Sequence, residues 1–236
     1  MRVTALLSWY DEPAPQLAEC VAALSKFADH IIAVDGPYAH FPGALKKPSS
    51  GPEQAETILR TAAGCGIGAT IHSPRQPFWG GEVEKRDLMF KLGMAFAEEG
   101  DWFLRIDADE ILTAPDYAKE QLAQTDKHVA EVTIWERPAD EVGRVVDTPD
   151  YESPFRCLFR AIPGIRIEQA HFIVTAPVDG RREFLTGPRG LPAEELWDVR
   201  IEHRTQLRSL ARKRLKAEYS PLINTLEKVG DFPEED

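Results

Sequence analysis

No stretch of this sequence reaches the roughly 18 consecutive apolar residues that a membrane-spanning helix needs, so none is expected. Cysteine is scarce. Cys20, Cys65 and Cys157 are odd in number, far apart and without a C-x-x-C pair, which speaks against a disulfide framework and against a thiolate zinc cluster. Basic charge is in deficit, with 28 Lys and Arg against 39 Asp and Glu, a net charge of −11. That balance argues against general nucleic-acid binding, whose affinity comes from neutralised phosphates. Ala5-Leu6-Leu7 is the only apolar run before Ser8 and the acidic Asp11-Glu12, too short for a signal peptide. The expected compartment is a reducing cytoplasm.

What is present describes a globular chain. Its 236 residues suit one domain, or one domain with an appendage. A core of this size buries about 70% of the unfolded surface and needs no staple. Charged residues make up 28%, close to the globular average, which excludes a disordered chain.

The first third alternates strands and helices. Strands are predicted at Val3 to Ser8, His30 to Val34, Ala69 to His72 and Trp102 to Ile106. Between them, Leu17, Cys20, Val21, Leu24 and Phe27 recur at helical spacing, as do Ala55, Ile58, Leu59 and Ala62. A third helix is predicted from Glu82 to Glu99, with Val83, Leu88, Phe90, Leu92 and Met94 as its apolar side. This β-α-β-α-β-α-β order predicts a parallel sheet covered on both faces. Gly36 to Pro52 and Pro74 to Gly81 are loops, the first long enough to suggest function. Further on, strands are expected at Glu131 to Trp135, Arg144 to Val146, Phe155 to Phe159 and Ile165 to Val174. Two C-terminal helices follow, Gln206 to Tyr219 and Leu222 to Val229.

Asp107-Ala108-Asp109 stands at the carboxyl end of an apolar strand, where open α/β sheets place their ligands. Two carboxylates so spaced can converge on one divalent cation, and hard oxygen donors suit Mg²⁺ or Mn²⁺. A solvated acidic turn is the alternative. Gly64 to Gly68 is Gly-rich but follows a helix and precedes a strand, the reverse of a dinucleotide fingerprint, and reads as a helix-ending loop.

Three segments together resemble the family 2 glycosyltransferases of the GT-A fold. Leu6 to Glu12 is similar to their first strand and "P-x-Y-N-E" turn, with Ser8 for Pro and Asp11 for Asn. Ile31 to Gly36 resembles the second strand, and Trp102 to Glu110 the metal-binding strand, preceded by a helix with the basic pair Lys85-Arg86. The resemblance implies a mixed, Rossmann-like α/β sheet flanked by helices, with a GT-A domain over 1–200 and a C-terminal helical segment over 201–236. It implies a nucleotide site made by Ser8, Trp9, Tyr10, Asp11, Asp35, Lys85, Arg86, Asp107 and Arg204, with Asp35 on the base. It implies a metal, Mn²⁺ or Mg²⁺, on Asp109 and His203, with Asp107 on the ribose or a metal-bound water. The implied reaction moves a sugar from a nucleotide diphosphate, UDP by family habit, to an unidentified acceptor hydroxyl, with inversion.

The second half matches less. Arg156-Cys157-Leu158-Phe159-Arg160 resembles the "R-L-F-R" strand of small bacterial members that modify lipopolysaccharide cores. Their following "H-E" survives as His171, with Phe172 where Glu would stand, so His171 and Glu168 are the catalytic candidates. On plain strand alternation these two fall on opposite faces. His203 and Arg204, following the Gly187 to Pro192 segment expected to be flexible, would then close over the diphosphate. Arg200, Arg204, Arg208, Arg212 and Lys216 recur every fourth residue, a solvated face or a surface for anionic membrane or a phosphorylated acceptor.

Two other classes compete. A haloacid-dehalogenase-type phosphohydrolase also uses D-x-D with Mg²⁺, but on its first strand and with Thr or Val where Ile111 stands. The third is a catalytically inactive sugar-nucleotide-binding module.

Overall fold

The computed structural model describes residues 1–38, 49–74, 79–136, 151–170 and 172–204. Its α/β architecture opens as the alternation predicts. The elements in order are β1 (Val3–Ser8), α1 (Ala14–Leu24), β2 (His30–Val34), α2 (Pro52–Gly64), β3 (Gly68–His72), α3 (Glu82–Met94) and β4 (Trp102–Asp107). The four strands pair side by side in parallel, in the order β3-β2-β1-β4. All six residues of β1 are buried, as expected of a strand covered on both faces.

The sheet then changes character. β5 (Glu110–Thr113) and α4 (Ala118–Gln124) follow β4 at once, before β6 (Val129–Glu136) and β7 (Tyr151–Arg160). β7 runs antiparallel to both β4 and β6, and β11 (Glu194–His203) lies parallel to β6 and antiparallel to β5. The result is one eight-stranded mixed sheet, β3-β2-β1-β4-β7-β6-β11-β5. A separate antiparallel sheet holds β8 (Arg166–Ile167), β9 (Val174–Val178) and β10 (Arg181–Phe184).

Helices cover the large sheet on both sides. α1 packs Leu17, Cys20, Val21 and Leu24 onto Val3, Ala5, Leu7, Ile31 and Ala33. On the other side Met89 and Phe90 of α3 meet Leu6, Ile32, Val34 and Phe103. Phe90 stands edge-on to Phe103 and Phe159, at 5.9 and 5.7 Å.

Several expectations need correction. α3 ends at Met94, short of Glu99; of the predicted apolar side Phe90 is fully buried and Val83, Leu88, Leu92 and Met94 pack partly buried against the core, but the helix also buries Lys85, Arg86, Met89 and Gly93, which the stripe did not include. Its N-terminal turns lie over polar strand ends and therefore bury charge. The single strand expected from Ile165 to Val174 is two strands, because Gln169 adopts φ 66° and turns the chain back. The large sheet runs through His203, so the boundary expected at residue 200 falls inside β11. Residues 205–236, with the two expected C-terminal helices and the basic stripe beyond Arg204, lie outside the described residues, as does the strand expected at 144–146.

Candidate functional site

Parallel pairing sets the stage. Ser8 is in register with Val34 on one side and Asp107 on the other, so β1, β2 and β4 end at one level. The segments leaving these ends, Trp9 to Glu12, Asp35-Gly36 and Asp107 to Glu110, are neighbours for that reason. The Trp9 amide donates to the Val34 carbonyl at 3.2 Å and the Ala108 amide to the Ser8 carbonyl at 3.0 Å.

The acidic turn is closed by its own fourth residue, whose carboxylate Oε2 accepts the Asp107 amide at 2.8 Å, a Glu110 contact. Asp107 and Asp109 then face different partners. Asp107 Oδ2 receives the Arg86 guanidinium at 2.8 Å, and Arg86 also holds Glu82 at 2.7 Å. Asp107 Oδ1 is buried without a hydrogen-bond partner. Asp109 is 2% exposed, and its Oδ2 lies 3.3 Å from His203 Nε2. The other ring nitrogen of His203, Nδ1, is 3.0 Å from Glu136 Oε1. Strand register explains the meeting: in β11 His203 is paired with Glu136 of β6 and with Glu110 of β5.

Charge shifts follow from this crowding. Burial opposes the charge on Asp107, but the Arg86 guanidinium overrides it and holds the carboxyl below its usual range. Burial, helped by the charges of Asp107 and Asp109, pushes Glu110 up to about 8. Burial pulls His203 down, yet its hydrogen bond to Asp109 and the surrounding carboxylates outweigh that and raise it to about 9.

The donor chemistry fits a divalent cation. Neighbouring ligands of an octahedral ion at about 2.1 Å stand roughly 3.0 Å apart, close to the Asp109–His203 separation of 3.3 Å. Asp107 adds a buried oxygen without a partner. Among the described residues no group of three or more His, Cys, Asp or Glu is gathered to hold a metal. Mg²⁺ is commonly bound through one or two carboxylates, with water and substrate phosphate completing the shell.

The predicted nucleotide residues divide. Ser8 and Trp9 are buried at the end of β1, and Tyr10 is half-buried beside them. Asp35 is 2% exposed, and its carboxylate accepts the Gly36 amide at 2.7 Å, the Ser50 hydroxyl at 2.6 Å and the Ser50 amide at 2.8 Å. A base reaching Asp35 therefore competes with Ser50. Ser50 Oγ also accepts the amide of Asp11, which sits at φ 50°. Gly36 turns the chain at φ 103°, where a Cβ would lie 2.8 Å from Pro74.

Lys85 does not reach open space. Its ammonium nitrogen is buried and donates to the carbonyls of Trp9 at 2.9 Å and Gly36 at 2.8 Å, clamping the ends of β1 and β2 under α3. Arg86 is spent on Asp107 and Glu82. The Arg204 guanidinium binds Glu202 at 2.6 and 3.2 Å and Glu19 at 2.6 Å, instead of pointing freely at an anion. Its amide donates to the Asp109 carbonyl at 2.8 Å.

The idea of a closing segment is also corrected. His203 is fixed within the sheet, and the Gly187 to Pro192 segment wraps a side chain. Arg156 donates to the carbonyls of Leu185 at 3.2 Å and Leu191 at 2.9 Å, and a Cβ on Gly190 would strike that guanidinium. Glu168 lies where β8 turns toward β9, bound by Arg166 and by the Thr175 hydroxyl. His171 lies outside the described residues. A cleft of about 410 Å³ at the β9–β10 hairpin is lined by Val178, Asp179, Arg181, Glu183 and Leu191, none of them a predicted site residue. Its charged walls are exposed or half-buried, so the strand ends are the better candidate site.

Sequence reasoning missed Glu136, Glu110, Ser50 and Gln54 as site residues. Gln54 takes the Glu12 amide at 3.0 Å. Glu110 adjoins the D-x-D and was findable by position, whereas Glu136 and His203 meet across a long sequence interval with no local signal.

No protein-family model matches the chain, and no curated protein matches it. Among solved structures, mannose-6-phosphate isomerase from Helicobacter pylori aligns over 86% of this chain and 97% of its own, with 6% identity and a TM-score of 0.38. A likeness that low carries no argument about fold or function.

Proposed function

We propose that the chain is a metal-dependent glycosyltransferase of the GT-A type, moving a sugar from a nucleotide diphosphate to an acceptor hydroxyl with inversion. The observation that carries the reading is the pairing of Asp109 with His203 at 3.3 Å, beside Asp107, at the carboxyl end of β4. It joins the D-x-D to the late histidine that the resemblance implies. Asp109 and His203 would hold the Mn²⁺ or Mg²⁺, which would supply positive charge against the leaving diphosphate. The chain's own residues do the rest. Asp107, Asp109 and His203 offer donors from one side, and the Ser8 to Asp11 turn forms the floor beside them. Lys85 holds that floor rigid by fixing the Trp9 carbonyl. A uridine nucleotide is the proposed donor, and the cytoplasm the proposed setting. Among the described residues no helix is long and apolar enough to cross a membrane.

A thermal-shift panel of UDP, GDP, dTDP and CDP, with and without Mn²⁺, tests the binding half. A ligand at a hundred times its Kd stabilises the native state by about 2.7 kcal/mol. The expected result is one nucleotide that shifts the melt only with Mn²⁺ present. Asp109→Ala should stay folded and lose both that shift and turnover. Release of nucleoside diphosphate, rather than inorganic phosphate from simple monoesters, separates this reading from a phosphohydrolase. Full activity in Asp109→Ala with unchanged Mn²⁺ dependence refutes the assignment.

A further inference from the structure

Glu136 has no part in the nucleotide or metal set considered so far. It is the last residue of β6, half-exposed, and its Oε1 lies 3.0 Å from Nδ1 of His203. The opposite ring nitrogen, Nε2, faces Asp109 at 3.3 Å. The imidazole is thus held between two carboxylates on opposite edges. Parallel pairing of β6 with β11 sets Glu136 directly across from His203, so the contact is built by register and not by a loose surface encounter.

A histidine binds a metal through one nitrogen, and the hydrogen bond made by the other decides which one and how the ring is turned. A carboxylate on Nδ1 keeps that nitrogen as the N–H donor. Nε2, which faces the Asp109 carboxylate, is then the nitrogen whose lone pair becomes available once a cation displaces its proton. From this geometry we infer that Glu136 is a positioning residue, which holds the His203 ring with Nε2 directed at the cation shared with Asp109. The inference rests on the metal-site reading above and assigns Glu136 no contact with substrate or metal. Because Glu136 lies at a strand end with part of its side chain in water, its replacement leaves the core intact.

The test uses the full chain, stripped of cations, with Mn²⁺ as the probe and its free fraction followed by electron paramagnetic resonance. Four variants are compared: Glu136→Ala, Glu136→Gln, His203→Ala and Asp109→Asn. Loss of an outer carboxylate of this kind costs about 10- to 100-fold in metal affinity. Glu136→Ala is expected to weaken Mn²⁺ binding by that factor. Glu136→Gln, whose amide oxygen still accepts from Nδ1–H, is expected to recover most of it. In ¹⁵N spectra of the Mg²⁺-saturated parent, His203 should carry its proton on Nδ1, and Glu136→Ala should lose that single state. Melting curves establish that each variant folds, and if Glu136→Ala does not, Glu136→Gln and the parent spectrum decide.

Two failures are distinguishable. If Asp109→Asn and His203→Ala lose Mn²⁺ while Glu136→Ala binds like the parent, the positioning role is overturned and the metal site stands. Equal losses in Glu136→Ala and Glu136→Gln also overturn it, because the carboxylate would then act through charge and not through orientation. If the parent binds no Mn²⁺, or if Asp109→Asn and His203→Ala leave binding unchanged, the metal reading falls and this inference with it.

Discussion

Replacing Lys85 by methionine removes a buried amine while keeping the length and much of the volume of the side chain. Lys85 is 1% exposed and donates to two backbone carbonyls, those of Trp9 and Gly36. A neutral amine has two N–H groups, one for each acceptor. Among the described residues the third proton of an ammonium has the Tyr38 ring, 5.9 Å away, to face. Burial therefore favours the neutral form, and together with Asp35, which opposes it, and Arg86, which assists, brings the pKa from 10.5 to about 7.

The direction of the effect follows from which state binds the proton more tightly. The unfolded chain holds it up to about pH 10.4, the folded chain only to about 7. Below pH 7 both states are protonated and the native state carries the full cost of the buried charge. Between 7 and 10 the unfolded state binds one more proton, so stability rises with pH by about 1.4 kcal/mol per unit. Methionine cannot titrate. It also leaves two carbonyls without their donor, at about 1–3 kcal/mol each.

Urea unfolding of parent and Lys85→Met, in matched buffers from pH 6 to 9.5, isolates the residue because every other group cancels in the difference. The gap in favour of the parent should be small near pH 6, where the charge penalty offsets the two hydrogen bonds. It should widen by about 2–3 kcal/mol between pH 7.5 and 9.5. Parallel profiles over the whole range refute the reasoning, since they mean that Lys85 titrates as it would in water.

Ser50→Ala removes the hydroxyl that bridges Asp35 and Asp11 and leaves a buried carboxylate short of a donor. It should lower stability by about 1–3 kcal/mol, read as a reduced urea midpoint with an unchanged slope. Gly93→Ala places a Cβ 2.7 Å from the Phe103 ring, where α3 crosses β4, and should cost about 1–3 kcal/mol by overpacking, checked by calorimetry. Alanine at Gly64, where nothing lies within 4 Å, is the matched control and should leave the melting temperature unchanged or slightly raised.

The parallel half of the fold was legible because each strand is a short apolar run bracketed by breakers, as in Ile31 to Val34 before Asp35-Gly36-Pro37. β5 was missed because its four residues follow the acidic turn with no spacer. β11 was missed for a different reason. Its buried apolar residues, Leu196, Val199 and Ile201, step by three and then by two, because the pairing with β6 skips from Leu196 to Arg200. A bulge erases the period that a strand is recognised by. The apolar side predicted for α3 does pack on the core, but the burial of Lys85 and Arg86 was missed, because apolar spacing assumes a buried face without charge and these two violate that assumption at the strand ends.

That violation also bears on the acidic turn. A solvated turn was the plain alternative to a site, and it would leave its carboxylates in water and its cations elsewhere. Asp109 and Glu110 are instead 2% and 6% exposed, and Arg86, Arg105 and Lys85 are buried within the same few strand ends. Sinking this many charges costs more than the pairs return, since apolar residues of equal volume usually serve stability as well or better. Nothing about the sheet requires it: the α1 face of the same strands is sealed with Leu, Val, Ile and Ala. Charge retained against stability, with burial pushing Glu110 up to about 8 and the hydrogen bond to Asp109 raising His203 to about 9, is the pattern expected if the proposed site carries chemistry. Asp109 and Glu136 flank the His203 imidazole, while Arg86 and Arg105 stand beside Asp107, so the proposed cation would enter between Asp109 and His203, where it would take the place of the proton on Nε2.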